Sequence, residues 1–298
     1  MLKVGISAPW EHSDFTEGLA RRRTGGFELV VLSDHISFRD GSGQDGLMRA
    51  AMAHALQPDM QVLISSYLLA LRHPAIVARQ IAELDALARG KLILGVGVGG
   101  DDRHEIESCG VDPRTRGRRT DEALQCLRAL QAGEPVDYQG EHFELDRVRI
   151  VPGVSPRTPI LIAGRADKAL TRTARFGDGW FGIFLSADRF ASAIRDIESQ
   201  AGAFGRKNVD WQHGMQFWCC VDKDRGKARA RLAERMESFY QVPFEKFERY
   251  CPAGTAEDVA AFIKDYLEHG ARVVNLTAPG SDEEVVQQAV EVRELLVG

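Results

Sequence analysis

The sequence has few cysteines, and their spacing argues against two common uses of this residue. There are five in 298 residues, none belongs to a C-x-x-C pair, and the number is odd. A disulfide framework needs paired cysteines, and the usual zinc site needs closely spaced pairs. We therefore expect reduced thiols in a cytoplasmic protein.

Long apolar runs and an excess of positive charge are also missing. No run approaches the roughly 20 residues that span a membrane, and the opening segment MLKVGISAPW is too short and too polar for a signal peptide. The formal net charge is −5 at pH 7, so no general attraction to nucleic acid or anionic lipid is expected. The expected partner is a small-molecule substrate.

Several motifs of well-known chemistries are absent too. The chain contains no H-E-x-x-H, no G-x-S-x-G, no P-loop, and no H-x-H after its first predicted strand. These absences disfavour metal hydrolysis, acyl transfer and nucleoside triphosphate hydrolysis. We expect no metal at the reacting site.

Short apolar runs alternate with helical patterns along the chain, which is typical of parallel strands joined by crossover helices. The predicted strands are Leu2–Ser7, Glu28–Ser33, Gln61–Ser65, Lys91–Gly97, Pro159–Ala163, Trp180–Phe184, Met215–Val221 and Arg272–Leu276. The predicted helices are Asp14–Arg23, Asp45–Gln57, Pro74–Arg89, Thr120–Gln131, Asp167–Phe176, Ala187–Phe204, Asp224–Tyr240, Thr255–His269 and Ser281–Val297.

Eight strands of this kind predict an α/β fold, a (β/α)8 TIM barrel, formed by residues 1–298 as a single domain. An open doubly wound sheet is the alternative. Its dinucleotide-binding fingerprint would favour the first strand-to-helix turn. That turn, Ser7–Trp10, has no glycine loop, which counts against the alternative.

Three connections are longer than a minimal barrel needs, so the barrel carries insertions. They are Gly100–Arg119, Pro135–Pro159 and Gln241–Gly254, and the second contains a hairpin-like segment, Tyr138–Phe143. Long connections between barrel elements often contribute to binding surfaces or to dimer contacts.

Glycines gather at the ends of two predicted strands that would be neighbours in the barrel. The fourth strand leads into Gly95, Gly97, Gly99 and Gly100, and glycine allows main-chain N–H groups to approach a ligand closely. The fifth leads into Gly164, just before a helix start where free N–H groups and Arg165 would suit an anion. Together they predict a shared phosphate or cofactor site.

Polar residues end the second and third strands. Asp34 and His35 follow the second, and a histidine at the barrel mouth can exchange protons near neutral pH. The other interpretation is a structural histidine held by a carboxylate. Ser65 and Ser66 end the third strand, where they would hydrogen-bond a cofactor edge or simply form a turn.

Several of these segments, taken in order, resemble the luciferase-like flavin-dependent oxidoreductases. The resemblance covers most of the chain from Val4 to about Phe184 and is weaker beyond. It is carried by Arg72-His73-Pro74, by Leu84–Leu92, by Gly95–Gly99, by Gly110–Pro113 with Arg116–Glu122, by Pro159–Gly164 and by Ala174–Trp180.

The resemblance implies a bacterial luciferase-like barrel with a flavin at its mouth. The cofactor would be coenzyme F420, a deazaflavin, or FMN. The reaction would be hydride transfer or monooxygenation of a small organic substrate. A homodimer is also implied. Ile36 stands where the bacterial luciferases have a second histidine, and this favours the F420 branches. Gly100 stands where close relatives often have tryptophan.

Site roles follow from the same resemblance. Asp34 and His35 would be catalytic, and a non-proline cis peptide is implied at the end of the third strand. The cofactor would be bound by Ser65, Ser66, Gly97, Val98, Gly99, Ala163, Gly164 and Arg165. Two alternatives stay open: a non-catalytic flavin-binding protein on the same fold, and an unrelated TIM-barrel lyase or hydrolase.

Overall fold

Strands alternate with helices along the computed structural model, which describes residues 1–11, 14–100 and 102–298. The strands are β1 (Lys3–Ser7), β2 (Leu29–Leu32), β3 (His35–Phe38), β4 (Ser42–Gln44), β5 (Gln61–Leu68), β6 (Leu92–Gly97), β7 (Val136–Gln139), β8 (Glu144–Val148), β9 (Ile160–Ala163), β10 (Gly179–Ile183), β11 (Gly214–Trp218), β12 (Cys220–Val221), β13 (Ala253–Gly254) and β14 (Val273–Thr277). The helices are α1 (Phe15–Thr24), α2 (Gly46–Leu56), α3 (Pro74–Leu87), α4 (Arg103–Ser108), α5 (Arg116–Leu130), α6 (Asp167–Phe176), α7 (Ala187–Ala203), α8 (Arg225–Tyr240), α9 (Ala256–Glu268) and α10 (Asp282–Val297).

Eight of these strands form a closed barrel in the order β1-β14-β11-β10-β9-β6-β5-β2. Every residue of β2 and of β6 is buried, as expected for strands whose two faces are both covered. Each barrel strand coincides with a predicted one, and the largest differences are at β5, which extends to Leu68, and β11, which stops at Trp218. The (β/α)8 barrel prediction is confirmed.

The chain divides into two compact units, Met1–Val31 with Trp180–Gly298, and Leu32–Gly179. The prediction of one domain over residues 1–298 stays a prediction. In the first unit, the buried Arg22 donates hydrogen bonds to the Ser7 carbonyl oxygen at 2.7 and 2.9 Å and to Asp282 Oδ1 at 2.7 Å. This guanidinium joins α1 to the end of β1 and the start of α10.

In the second unit, β6 lies between β5 and β9, with Leu94 paired to Ile160 and Leu63 paired to Ile93. Asp178 sets the start of β9, because its Oδ2 accepts a hydrogen bond from the Ile160 N–H at 2.9 Å. The insertion between α5 and β9 contains the antiparallel hairpin β7–β8, which confirms the predicted hairpin.

Some elements differ from the prediction. The pair β3–β4 and the helix α4 fall in segments where no regular structure was predicted, and α5 begins at Arg116 instead of Thr120. Each of these new elements has six residues or fewer, too short for a periodic pattern to identify.

Two further features bear on the class of protein. All five cysteines are free. No helix within the described ranges is both long and apolar enough to cross a membrane.

Candidate active site

The predicted site residues all lie in the second unit; Ser65 and Ser66 lie within β5 near its carboxyl end, and the others lie at or just beyond the carboxyl ends of their barrel strands. There the chain passes from buried to half-buried positions: Ile64 is buried and Ser65 and Ser66 are half-buried, and Gly97 is buried before Val98 and Gly99. The same change occurs on β9 between Ile162 and Ala163. Main chain and side chains are therefore accessible at the end where barrels of this class bind ligands.

β5 is irregular at the two serines. The peptide bond between Ser65 and Ser66 is cis, at the position implied by the family resemblance. The pairing of β5 with β6 shifts register between Ile64 and Tyr67.

The glycines of β6 allow β5 to approach closely. A Cβ at Gly95 would lie 2.3 Å from the Ile64 carbonyl oxygen, and one at Gly97 would lie 2.3 Å from Ser66 Oγ and 3.0 Å from Ser66 Cβ. Both glycines thus have a steric reason inside the protein, because real Cβ atoms do not approach this closely. From the sequence, the glycines of this run were expected to allow a ligand to approach. At Gly95 and Gly97, the close approach of β5 by itself explains why a glycine is needed.

The end of β9 leads directly into α6. The residue that precedes this helix is Ala166, whose methyl group cannot accept a hydrogen bond from the first-turn N–H groups. Arg165 and Lys168 are exposed beside it, with Asp167 in the first turn. This end of α6 therefore has a net positive charge as well as the positive end of the helix dipole.

Asp34 forms a buried, bidentate ion pair with Arg72. Its side chain is fully buried, and Arg72 donates to Oδ2 at 2.7 Å and to Oδ1 at 2.8 Å. The backbone N–H groups of Gly46 and Leu68 donate to the same carboxylate, each at 2.9 Å. One side chain thereby ties together the end of β2, the start of α2 and the end of β5.

The contacts of Asp34 indicate what it can do. Burial raises the pKa of its carboxyl, and the Arg72 guanidinium and the two backbone N–H groups oppose that shift. A carboxylate offers about four acceptor positions, and these four donors match that number. Such a group positions its neighbours, including His35, which follows it directly.

His35 forms the second pair of the site. Its Nδ1 lies 3.1 Å from Glu105 Oε2, and Glu105 Oε1 also accepts the Ile36 N–H at 2.7 Å. The His35 ring packs against Phe38 with the ring centroids 4.4 Å apart, and the side chain is 23% exposed. The histidine is therefore fixed in orientation and still accessible.

The carboxylate on Nδ1 also determines the chemistry of the ring. If Nδ1 carries the proton that is donated to Glu105, Nε2 of the neutral ring carries the lone pair. Burial raises the pKa of Glu105, but the hydrogen bonds from His35, Ile36 and Ser37 outweigh it, so the pKa lies below its usual value. An ionised Glu105 strengthens the hydrogen bond that orients the ring.

Sequence reasoning missed Glu105 and the role of Arg72. Glu105 lies on α4, in the Gly100–Arg119 connection. One signal was available: Asp102 caps this helix by accepting the His104 N–H at 2.9 Å, and Glu105 follows three residues later, a spacing typical of helix starts. No comparable local signal points from Arg72 to Asp34, since 38 residues separate them.

Known proteins resemble this chain along most of its length. The family model described as luciferase-like monooxygenase matches residues 16–297. The chain belongs to the luciferase-like monooxygenase family.

Two curated relatives illustrate the range of the family. The F420-dependent glucose-6-phosphate dehydrogenase of Amycolatopsis mediterranei is 26% identical over 95% of both chains. The 5,10-methylenetetrahydromethanopterin reductase of Archaeoglobus fulgidus is 29% identical over 66% of this chain and 58% of its own length.

Solved structures show the same fold. An F420-dependent secondary alcohol dehydrogenase superposes with a TM-score of 0.86 at 20% identity, covering 100% of this chain and 99% of its own. A monooxygenase from Streptomyces bottropensis superposes with a TM-score of 0.84 at 21% identity, covering 99% of both. The predictions of this family and of a flavin- or deazaflavin-dependent oxidoreductase are confirmed.

Gly97→Ala should destabilise the protein by about 1–3 kcal/mol, because the added methyl group overpacks the contact with Ser66. Adding Ser66→Gly removes both clashing atoms and should recover most of the loss. Gly202→Ala, on α7, is the control: no described atom lies within 4 Å of its added Cβ, and a gain of up to about 1 kcal/mol is expected. Urea unfolding measures all three, and equal effects of Gly97→Ala and Gly202→Ala would contradict the steric argument.

Glu105→Gln should lower the free energy of unfolding by about 2 kcal/mol at pH 7, since hydrogen bonds to a charged group are lost. A lowered pKa in the folded state gives stability that is full above the unfolded pKa of about 4.3 and is lost as pH falls through the folded value. The difference between the two proteins should therefore shrink as the pH falls below about 4.

Glu107→Gln is the matched control for this measurement. Glu107 lies on the same helix, 53% exposed, and its carboxylate is 3.9 Å from Arg103. An exposed pair of this kind contributes about 0–1 kcal/mol. If the effect of Glu105→Gln did not change between pH 7 and pH 3.5, its carboxylate would not have the proposed part in stability.

Proposed function

We propose that this protein is a coenzyme F420-dependent oxidoreductase that acts on a small organic substrate. The observation that carries the proposal is the oriented His35–Glu105 pair, placed at the same end of the barrel strands as the accessible serines and glycines. When bound, the deazaflavin supplies a ring carbon that accepts or donates a hydride.

The donors at the site fit the chemistry of this cofactor. Its phosphate suits the start of α6, where N–H groups, Arg165 and Lys168 offer positive charge. Ala163, at the end of β9, and Gly164 after it would line the approach to this anion site.

The cofactor ring would be held by β6 and β5, which are one and two strands from β9 in the barrel. Ser65 and Ser66 offer hydroxyl groups within β5, near its carboxyl end, and Val98 and Gly99 offer half-buried main chain just after β6. Hydroxyl and backbone groups both donate and accept, so they suit a heterocycle edge with mixed donors and acceptors. Gly97 contributes by letting Ser66 lie against β6.

In this proposal the roles of Asp34 and His35 differ. His35 takes or returns a substrate proton at Nε2, because Glu105 orients the ring through Nδ1. Asp34 acts through position: it fixes the backbone before His35 and the end of β5. Asp34 is therefore assigned as a positioning residue.

F420 is favoured over FMN for two reasons. The relative matched over 95% of both chains has F420 in its name, and Ile36 follows His35 where the luciferases have a second histidine. A monooxygenase that uses FMN is the competing function, and the experiment below separates the two.

Titration with F420 and with FMN, followed by fluorescence, should give saturable binding of F420 and at least tenfold weaker binding of FMN. Turnover is then followed by loss of the F420 absorbance with glucose 6-phosphate and with secondary alcohols, the substrate types in the relatives' names. Binding of FMN alone would overturn the choice of cofactor.

His35→Asn in the same assays separates catalysis from binding. Loss of a general base should lower the turnover number by about 100-fold or more, with F420 affinity little changed. Glu105→Gln should also lower turnover and change its dependence on pH. Unchanged turnover in His35→Asn would remove His35 from the reaction.

We also propose a homodimer formed through α2 and α3. Met48, Met52 and Leu56 recur every four residues on α2 and are 63%, 45% and 41% exposed. Ile76 and Leu87 on α3 are 60% and 51% exposed. Large apolar side chains on two helices in contact are typical of a surface that another protein covers, and a second copy is the commonest such partner.

Met48→Glu with Met52→Glu should convert a dimer to a monomer, because it would bury two carboxylates on each side of the interface. Sedimentation velocity measures the oligomeric state. Phe204→Glu is the control, since Phe204 is a large apolar residue, 46% exposed just after α7, that belongs to neither α2 nor α3. A wild-type monomer, or dimers in all variants, would contradict the proposal.

Cytoplasmic location and a single domain remain proposals. The free state of all five cysteines supports the first, and the match of one family model from residue 16 to residue 297 supports the second.

A further inference from the structure

The turn of the β7–β8 hairpin brings three side chains of metal-ligand type together. Glu141 and His142 lie in the turn, and Glu122 comes from α5. One ligand atom from each of the three lies within 4.8 Å of the other two. None of the three is among the catalytic or cofactor-binding residues proposed above.

Glu122 already fixes the position of the turn. Its carboxylate accepts N–H groups from Glu141 at 3.1 Å, His142 at 2.9 Å and Phe143 at 3.2 Å. The close approach depends on Gly140, where a Cβ would lie 2.3 Å from Glu122 Oε2. A carboxylate has about four acceptor positions, so three N–H donors leave capacity for one more ligand.

A buried histidine nitrogen, Nε2 of His142, distinguishes this group from a simple cluster of carboxylates. Its side chain is 10% exposed, and its Nε2 is buried with no hydrogen-bond partner among the residues that the structure describes. Glu141 Oε1 lies 3.8 Å from this nitrogen, too far for a hydrogen bond. Leaving a buried imidazole nitrogen without a partner is costly, which indicates that a ligand is missing.

We propose that Glu122, Glu141 and His142 bind a divalent transition-metal ion of the Zn²⁺ type. Imidazole nitrogen with carboxylate oxygen is a donor set that zinc and its neighbours in the first transition row accept. Magnesium and calcium prefer oxygen donors alone. Water completes the coordination at this accessible turn.

The geometry requires only a small adjustment. Zinc bonds of about 2.0–2.2 Å place tetrahedral ligand atoms about 3.5 Å apart, somewhat closer than the present limit of 4.8 Å. Glu141 can make this movement because it is 59% exposed. Its present ion pair with Arg118, at 3.2 Å, is equally exposed and so contributes little stability.

The site would stabilise the fold and take no part in the reaction. Its ligands join α5 to the hairpin inserted between α5 and β9, and an ion bound only by the folded state raises stability by mass action. The sequence predicts no metal at the reacting site, and this proposal concerns another part of the second unit.

The test is calorimetric titration of EDTA-treated full-length protein with ZnCl2, repeated with CoCl2 and visible spectroscopy. The wild type should bind one equivalent of either ion, and Zn²⁺ should raise the unfolding temperature. Bound Co²⁺ should show bands of a site with nitrogen and oxygen ligands. A strong thiolate-to-cobalt band would assign the ion to a cysteine instead and overturn the proposal.

Substitutions test which residues bind the metal ion. His142→Asn should abolish the stoichiometric binding, and Glu141→Gln, at an exposed position that leaves folding intact, should weaken it at least tenfold. His269→Asn is the matched control, because His269 Nε2 lies 3.8 Å from Asp265 Oδ1, an exposed pair on another helix. Binding that is absent in the wild type, or unchanged in Glu141→Gln, would overturn the proposal.

Discussion

The buried ion pair between Asp34 and Arg72 is the contact on which the candidate site depends. Two guanidinium N–H groups and two backbone N–H groups converge on one carboxylate, so the end of β2, the start of α2 and the end of β5 share a single anchor. Burying the charge is costly, and only a full set of donors compensates it. The Arg72 guanidinium also lies 4.2 Å from the centroid of the Tyr67 ring, which packs the same anchor from one side.

A second carboxylate extends this order to His35. Glu105 binds both the imidazole of His35 and the backbone of β3, so the ring and the strand that carries it are positioned by one group. The two carboxylates have different tasks. Asp34 is saturated with donors, while Glu105 divides its hydrogen bonds between the His35 ring and the backbone of β3.

Much of this could be predicted from the sequence, and the misses share a physical cause. The barrel strands are buried on both faces, so their apolar runs are visible without knowledge of the fold. In contrast, β3 and α4 are stabilised by contacts with each other, and those contacts join residues about 70 positions apart. The role of Gly97 depends on Ser66 in another strand, which no local pattern contains.

The contacts between α4 and the β3–β4 hairpin constrain how this protein can be recombined with its relatives. Asp102 accepts the Arg39 N–H at 2.7 Å, and Glu105 accepts the Ile36 N–H at the same distance. A chimera that exchanges the segment after β2 without the segment after β6 would separate donors from their acceptors. The two segments form one exchangeable module, although more than fifty residues lie between them in the chain.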